Sequence, residues 1–597
     1  MSPASGTKTG GAPTVVPPGT VLRPEAELRL RPVDALLHIL RDEGVDRVFG
    51  NPGTTELPLL DVLNGAPDIT YVLGVQEASV VSMADGYARA TGRPAVVSLH
   101  AAGGTANGLV GLLNAKRSRT PMVVLAGQQD RRHLVEDPML AADLAALARP
   151  AVKESHDVQH GHDLPVLLRR AFTAATRHPA GPVFLSVPMD LLQEETPVPV
   201  PARGRAARPG PADPDDLAEA AALLAGAARP AVVAGDGVGR EGAVAELVAV
   251  AERLGATVFH QPMHDGLDFP FAHPLHAGML PSTNAGVREA LTGHDVVLVA
   301  GCHAFSPHHY TPVGPIPEGT EVVQLDSDPA EIGRTFACAV GLSGALRPSL
   351  AALARGLAEA GARGAVPSAG PASAPETEFC ALLADEVPGE PLAPLAAVRA
   401  VADSLPEDAV VVEEAITSGV LLRQVLRLSR PGSYVHTHGG GLGHGIGAAV
   451  GTALGAAGRP VVAVLGDGCT LFGLQGLWSA ARLGVPVTFV VMNNGEYRTL
   501  KETLDAWGSD TSRRGVYPGL DLAPPVVDFR AAAAAFGIPS VRVASAGELA
   551  KAVAGACADR GPLLVEVPIT GHPSSPGTQT GQTGPTGQTT PTCPSVR

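Results

Sequence analysis

Short apolar runs rich in Val, Ile and Leu recur along this chain, each followed by a longer stretch whose apolar positions return every three or four residues. The runs at 47–49, 95–99 and 122–126 form one group. Those at 230–234, 295–300 and 321–325 form a second, and those at 409–412, 459–465, 485–492 and 563–567 a third. Continuous apolar runs bounded by turns suit strands buried on both faces. Stretches such as 33–43 and 474–483 suit the helices that cross between them. The pattern predicts an α/β protein of three doubly wound parallel-sheet domains.

Two breaks separate the groups. Residues 197–214 repeat Pro and Arg, and residues 346–390 are rich in Ala, Gly, Pro and Ser. The expected organisation is a first domain at 29–196, a middle domain at 215–345, a linker at 346–390 with a helix near 376–385, and a last domain at 391–570. Residues 1–28 and the Gly-Gln-Thr-Pro tail at 571–597 read as disordered.

The charge balance of 44 basic against 59 acidic residues gives −15, which argues against general nucleic-acid binding and offers no basic patch for a membrane. No apolar run is long enough for a convincing span. The six cysteines have neither metal-ligand spacing nor the density of a disulfide framework, so reduced thiols and a cytoplasmic location are expected. His303, His308 and His309 lack the carboxylate or cysteine partners of a metal site and read as a polar loop.

Chemistry concentrates in the last domain. Gly466-Asp467-Gly468-Cys469 follows one strand run, and Asn493-Asn494 ends the next, with Asn494 lying 27 residues after Asp467. A right-handed crossover brings Asp467 and Asn494 together at the carboxyl ends of neighbouring strands. A carboxylate, an amide oxygen and a backbone carbonyl make a hard oxygen site, suited to Mg²⁺ completed by phosphate and water. Gly468 lets a phosphate approach the backbone.

The first domain carries Gly50-Asn51-Pro52-Gly53-Thr54-Thr55-Glu56-Leu57-Pro58, Gln76-Glu77-Ala78, Ala84-Asp85-Gly86-Tyr87-Ala88, and Leu99-His100 before Gly103-Gly104-Thr105-Ala106-Asn107. With Gly440-Gly441-Leu442-Gly443 and Met492-Asn493-Asn494-Gly495, these motifs resemble the thiamine diphosphate-dependent decarboxylases, and the benzoylformate decarboxylases among them most. The likeness extends over roughly residues 31–570.

The resemblance implies pyrimidine-binding, middle and diphosphate-binding domains, with thiamine diphosphate and Mg²⁺ as cofactors. Asp467, Asn494 and the backbone oxygen of Glu496 would hold the metal. Glu77 would bond the pyrimidine ring, Gly440 would accept from its amino group, and Leu442 would prop the bent cofactor. Thr417, Gly468, Cys469 and Tyr497 would lie along the diphosphate. His100 and His273 would move protons, with His264 and His276 as neighbours able to take the place of His273. Thr54 would bind the substrate carboxylate where the family has serine.

The implied reaction is nonoxidative decarboxylation of a small-molecule 2-keto acid, benzoylformate-like, to an aldehyde and CO₂ through a cofactor enamine. The alternative is an acetolactate synthase-type carboligase, which often carries FAD in the middle domain. A third reading is a fold-retaining nucleotide-binding or assembly protein, against which the intact motifs argue. Active sites shared between subunits imply a homodimer or homotetramer. Ile416 in place of a threonine, and Glu496, Arg498, Thr499, Lys501 and Thr503 after Asn494, depart from the pattern and loosen the case for a phenyl-bearing substrate.

Overall fold

A computed structural model describes residues 28–204, 209–366, 376–387 and 389–571. It contains three six-stranded sheets, each parallel throughout. The first runs Thr70–Leu73, Arg47–Gly50, Ala95–His100, Met122–Gln128, Pro182–Pro188, Glu154–Asp157. The third runs Tyr434–His436, Val410–Glu414, Val461–Gly466, Val487–Asn493, Leu563–Pro568, Ser540–Arg542. Numbered by appearance within each domain, both sheets follow the same order, 2-1-3-4-6-5. The middle sheet runs His276–Met279, Thr257–His260, Ala231–Ala234, Val296–Ala300, Glu321–Asp326, Val340–Ser343, which is the order 3-2-1-4-5-6 of a Rossmann sheet.

All ten apolar runs seen in the sequence are strands, and most of their residues are fully buried. Helices on both faces exclude water from parallel strands, so the sequence cannot alternate. Most strands not foreseen are short and several lie at edges, where polar residues such as those of Glu154–Asp157 are tolerated; the exception is Pro182–Pro188, seven residues long and buried inside the first sheet. The segment expected as a linker from 346 opens instead with the helix Leu346–Glu359. Its Leu346, Leu350, Leu353 and Leu357 are buried against the middle sheet, which moves the domain break beyond Glu359. The first break also carries structure: Val198–Pro199 pairs antiparallel with Arg29–Leu30. Of the expected disordered ends, residues 1–27 and 572–597 lie outside the described residues.

The first and third domains meet through two helices, Glu77–Thr91 and His444–Gly455. Their contact is built on small residues. A Cβ at Gly86 would overlap the Ala448 carbonyl, and one at Gly451 would overlap the Met83 carbonyl. The apolar core is continuous across this seam, from Val80, Met83 and Tyr87 to Ile446 and Val450. No helix among the described residues is long and apolar enough to cross a membrane.

Candidate active site

Asp467 and Asn494 sit where the sequence placed them. Gly466 pairs with Met492 at the carboxyl ends of adjacent parallel strands. Asp467 opens the helix Asp467–Gly473 and is buried. Its Oδ1 accepts from the Gly468 N–H at 2.8 Å and its Oδ2 from the Gly495 N–H at 2.7 Å, so one carboxylate ties the two loops. Burial pushes its pKa up, against the pull of those N–H groups. A buried carboxylate with only amide partners is a fit place for a cation. Asn494 Oδ1 accepts from the Glu496 N–H at 3.1 Å, which curls the loop so that its backbone faces the same rim. A second strand of chain braces this loop: Tyr497 N–H donates to Leu520 O and Leu522 N–H to Gly495 O, both at 2.8 Å.

The ring of Tyr497 lies where a Cβ on Gly468 would be, so only glycine fits there. Thr417 is half-buried near the start of the helix Ile416–Val425, which follows the neighbouring strand. Cys469 packs beside the Ile416 backbone, and burial raises its thiol pKa well above the ordinary value. Gly440 has φ +73° and Gly443 φ +89°, backbone that an L side chain adopts with strain. Between them Leu442 is half-buried.

Two residues that sequence reading missed fix this glycine loop. Asn114, from the first domain, donates to Gly441 O at 2.8 Å and accepts from Gly441 N–H at 3.0 Å. Glu414, at the end of strand Val410–Glu414, accepts from the N–H groups of Gly443 (2.8 Å), His444 (3.1 Å) and Gly445 (2.8 Å). It thus caps the helix His444–Gly455 from a different strand. Burial pushes its pKa up to about 8. No motif around Glu414 marks this role in the sequence.

On the first sheet, Glu77 is the first residue of its helix and is buried. Its Oε1 accepts from Asn51 at 2.9 Å and its Oε2 from Asn107 at 3.1 Å. Both asparagines lie within motifs already singled out, but their role is visible only in the folded chain. His100 ends the strand beside it. Its Nδ1 is 2.9 Å from Glu56 Oε2 and 3.0 Å from Thr55 Oγ1. Glu56 is itself buried and held by the Gly53 N–H at 2.8 Å and the Thr55 hydroxyl at 2.6 Å. With Nδ1 engaged, the outward atom of the imidazole is Nε2.

Thr54 is exposed at the start of the turn Thr54–Glu56. His273 is not brought to His100 or Glu77. Its Nε2 lies 3.3 Å from Glu252, its Nδ1 accepts from the Leu275 N–H at 3.2 Å, and its ring packs on Phe269, all within the middle domain. Arg498 and Lys501 are not open to an anion: Lys501 bonds Glu496 and, at 2.5 Å, Asp521, while Arg498 bonds Glu502 at 3.3 Å. The polar loop holds, in part, since His308 and His309 are exposed and bond one another at 3.0 Å. His303 instead bonds Glu331 at 2.6 Å.

Two half-sites thus stand at the carboxyl ends of two like sheets, one a rim of buried carboxylate, amide and glycine backbone, the other a clamped carboxylate with a braced histidine. The chain matches the models of the thiamine pyrophosphate enzyme N-terminal TPP-binding domain over residues 31–147, the central domain over 217–353 and the C-terminal TPP-binding domain over 417–567. It belongs to the thiamine diphosphate-dependent enzyme family. It is 37% identical to a benzoylformate decarboxylase of Pseudomonas aeruginosa over 540 residues, 89% of this chain and 98% of that one. A putative acetolactate synthase large subunit of Mycobacterium tuberculosis is 32% identical over 549 residues, covering 89% of this chain and 98% of that one. Among solved structures, a 4-hydroxybenzoylformate decarboxylase of Rhodococcus jostii superposes with a TM-score of 0.82 at 32% identity, covering 91% of this chain and all of that one. The chain is therefore a thiamine diphosphate-dependent enzyme of the kind that includes the 2-keto acid decarboxylases.

Proposed function

We propose that the enzyme decarboxylates a benzoylformate-like 2-keto acid, without oxidation, to an aldehyde and CO₂. The observation that carries this reading is the His100–Glu56 pair beside the Glu77 clamp. The donor set at Asp467, Asn494 and the Glu496 carbonyl fits Mg²⁺, and the glycine rim fits a diphosphate. When bound there, thiamine diphosphate would supply a nucleophilic carbon and a sink for the electron pair of the bond to CO₂.

The protein's own work is positioning and proton transfer. Glu77, gripped by two amide donors in a buried setting, offers a strong charge-assisted bond to the pyrimidine. Glu56 holds the His100 ring through Nδ1, which leaves Nε2 as the atom placed to pass a proton. Thr54 gives an exposed hydroxyl for the substrate carboxylate. Of the two histidines read from sequence, the geometry favours His100, since within one chain His273 is tied to Glu252 and to the Leu275 N–H.

We place the complete site between two copies of the chain, in a cytoplasmic homodimer or homotetramer. Large apolar side chains flank both half-sites and are exposed: Leu57 and Val75 beside Glu56 and Glu77, Ile416 and Phe472 beside Thr417 and Asp467. The cysteines among the described residues are all free, as in a reducing compartment.

The carboligase reading draws on the Mycobacterium relative and on the Rossmann order of the middle sheet. Gly235 packs on Gly301 and Cys302, whereas Gly237 lines a cavity at the junction of the three domains, so flavin absorbance of the purified protein is the check on this reading. Incubating the Mg²⁺-loaded holoenzyme with a 2-keto acid panel, scored for CO₂ and for product mass, tests the proposal. Aldehyde from benzoylformate or a ring-substituted analogue is expected. Hydroxyketone as the main product, or no cofactor-dependent CO₂, overturns it.

A further inference from the structure

The chain between strands Thr257–His260 and His276–Met279 holds a cluster that decarboxylation does not use. His260, His264 and Asp268 are all buried, and one donor atom from each lies within 4.8 Å of the others. Their hydrogen bonds fix where the lone pairs point. The Phe271 carbonyl, 3.1 Å from His276 Nδ1, can only accept, so that nitrogen carries the proton. His276 Nε2 is then an acceptor, and His260 Nδ1, 2.8 Å away, must donate to it. This leaves the lone pair on His260 Nε2, met only by the Phe269 N–H at a long 3.2 Å. By the same logic His264 Nδ1 donates to Gly266 O at 2.8 Å, and its Nε2 is bare of a proton. Asp268 Oδ1 takes a weak bond from the Gly239 N–H at 3.3 Å. Its Oδ2 is buried and has no partner among the described residues.

His264 Nε2 and Asp268 Oδ2 therefore have no partner among the described residues, and His260 Nε2 joins them where the long bond from the Phe269 N–H gives way. Each ring hands its remaining N–H to a carbonyl or to another histidine, as rings that ligate metals do. An unpartnered buried carboxylate oxygen is costly unless a proton or a cation meets it. Asp236 and Asp265 lie nearby, with Arg240 bonding Asp265 at 2.6 Å and Arg89 3.6 Å from it on the other oxygen. Asp268 also lines a cavity of about 320 Å³ at the junction of the three domains, which gives an ion a way in and room for a water on a fourth position.

We propose that His260, His264 and Asp268 bind a divalent transition metal, with zinc best suited to two nitrogens and one oxygen, separate from the magnesium of the diphosphate rim. The site sits at a domain joint. The His264 ring is 5.2 Å from that of Tyr434, Phe271 N–H donates to Leu428 O at 3.0 Å, and His436 N–H donates to Asp265 O at 3.2 Å. A metal there would tie the middle domain to the diphosphate-binding domain.

The test uses chelator-stripped full-length protein reloaded with thiamine diphosphate and saturating Mg²⁺, then titrated with Co²⁺. Saturable uptake of about one cobalt per chain is expected, with the intense visible absorption of a low-coordinate ion, and with loss of both in His264→Gln and in Asp268→Asn. Zinc should displace the cobalt and raise the melting temperature of the wild type, but not of a variant. Two variants are used so that a folding failure in one leaves the other to read. A folded wild type with no such band, or a band unchanged in either folded variant, overturns the proposal.

Discussion

His100 Nδ1 lies 2.9 Å from Glu56 Oε2, and Glu56 is the more deeply buried of the two. A buried carboxylate behind an imidazole fixes its tautomer and aims its other nitrogen. Replacing Glu56 by Gln keeps the shape and removes the charge. Turnover should fall about 10- to 100-fold as the ring loses its anchor. His100→Ala should cost about 10²- to 10⁴-fold. Unchanged turnover in Glu56→Gln would remove the carboxylate from the mechanism.

Glu77 and Asp467 make a sharper pair. Each single variant, Glu77→Gln and Asp467→Asn, should fold with wild-type circular dichroism and lose most turnover. If the complete site draws Glu77 from one subunit and Asp467 from the other, mixing the two after dissociation regenerates one intact site per heterodimer. Activity should return to about a quarter of wild type for random dimers. No recovery in verified heterodimers would place both residues in one chain's site.

Glu414 predicts a pH effect on stability. Its folded pKa is raised to about 8, whereas an unfolded glutamate titrates near 4.5. The folded state therefore holds an extra proton between those values. This contribution is full below about 4.5 and is lost as pH rises through about 8, with a slope of up to about 1.4 kcal/mol per pH unit. Urea unfolding across pH 5 to 8 should show the decline, and Glu414→Gln should flatten it. The same variant forfeits one of three bonds to the glycine loop, so its cofactor affinity should fall.

The seam between the first and third domains leaves no room at Gly86 or Gly451. Gly451→Ala inserts a methyl against the Met83 carbonyl and should destabilise by about 1–3 kcal/mol. An unfolding midpoint equal to wild type would mean that the two helices part in solution.

Removing Mg²⁺ with a chelator should release the diphosphate cofactor, because Asp467 and Asn494 offer it no positive charge. Equilibrium dialysis of the coenzyme with and without Mg²⁺ reads this directly. Retention of the coenzyme in metal-free protein would overturn the role given to Asp467.

Much of this was legible in one dimension. Strands buried on both faces leave unbroken apolar runs, and these located ten strands and the parallel architecture. The spacing of Asp467 and Asn494 carried their meeting, because a right-handed crossover has little freedom. Glu77 and His100 were found through motifs.

Short edge strands such as Glu154–Asp157 and Ser540–Arg542 were not legible, since half-exposed backbone places few demands on side chains. The helix Leu346–Glu359 was hidden by the Ala and Gly around it, although its leucines recur every three or four residues.

The sequence by itself thus determined the three sheets and the ends of strands on which the chemistry stands, because those depend on local periodicity and a fixed handedness, and it pointed to the cofactor class through the likeness of its motifs to a known family. Tertiary structure alone decided which groups support them. Glu56 behind His100, the two asparagines on Glu77, Asn114 and Glu414 on the glycine loop, and the turning inward of Lys501 all join residues far apart in the chain or facing one another across a turn. Such pairings follow from how the elements pack and what that packing buries, and no spacing along the chain encodes them.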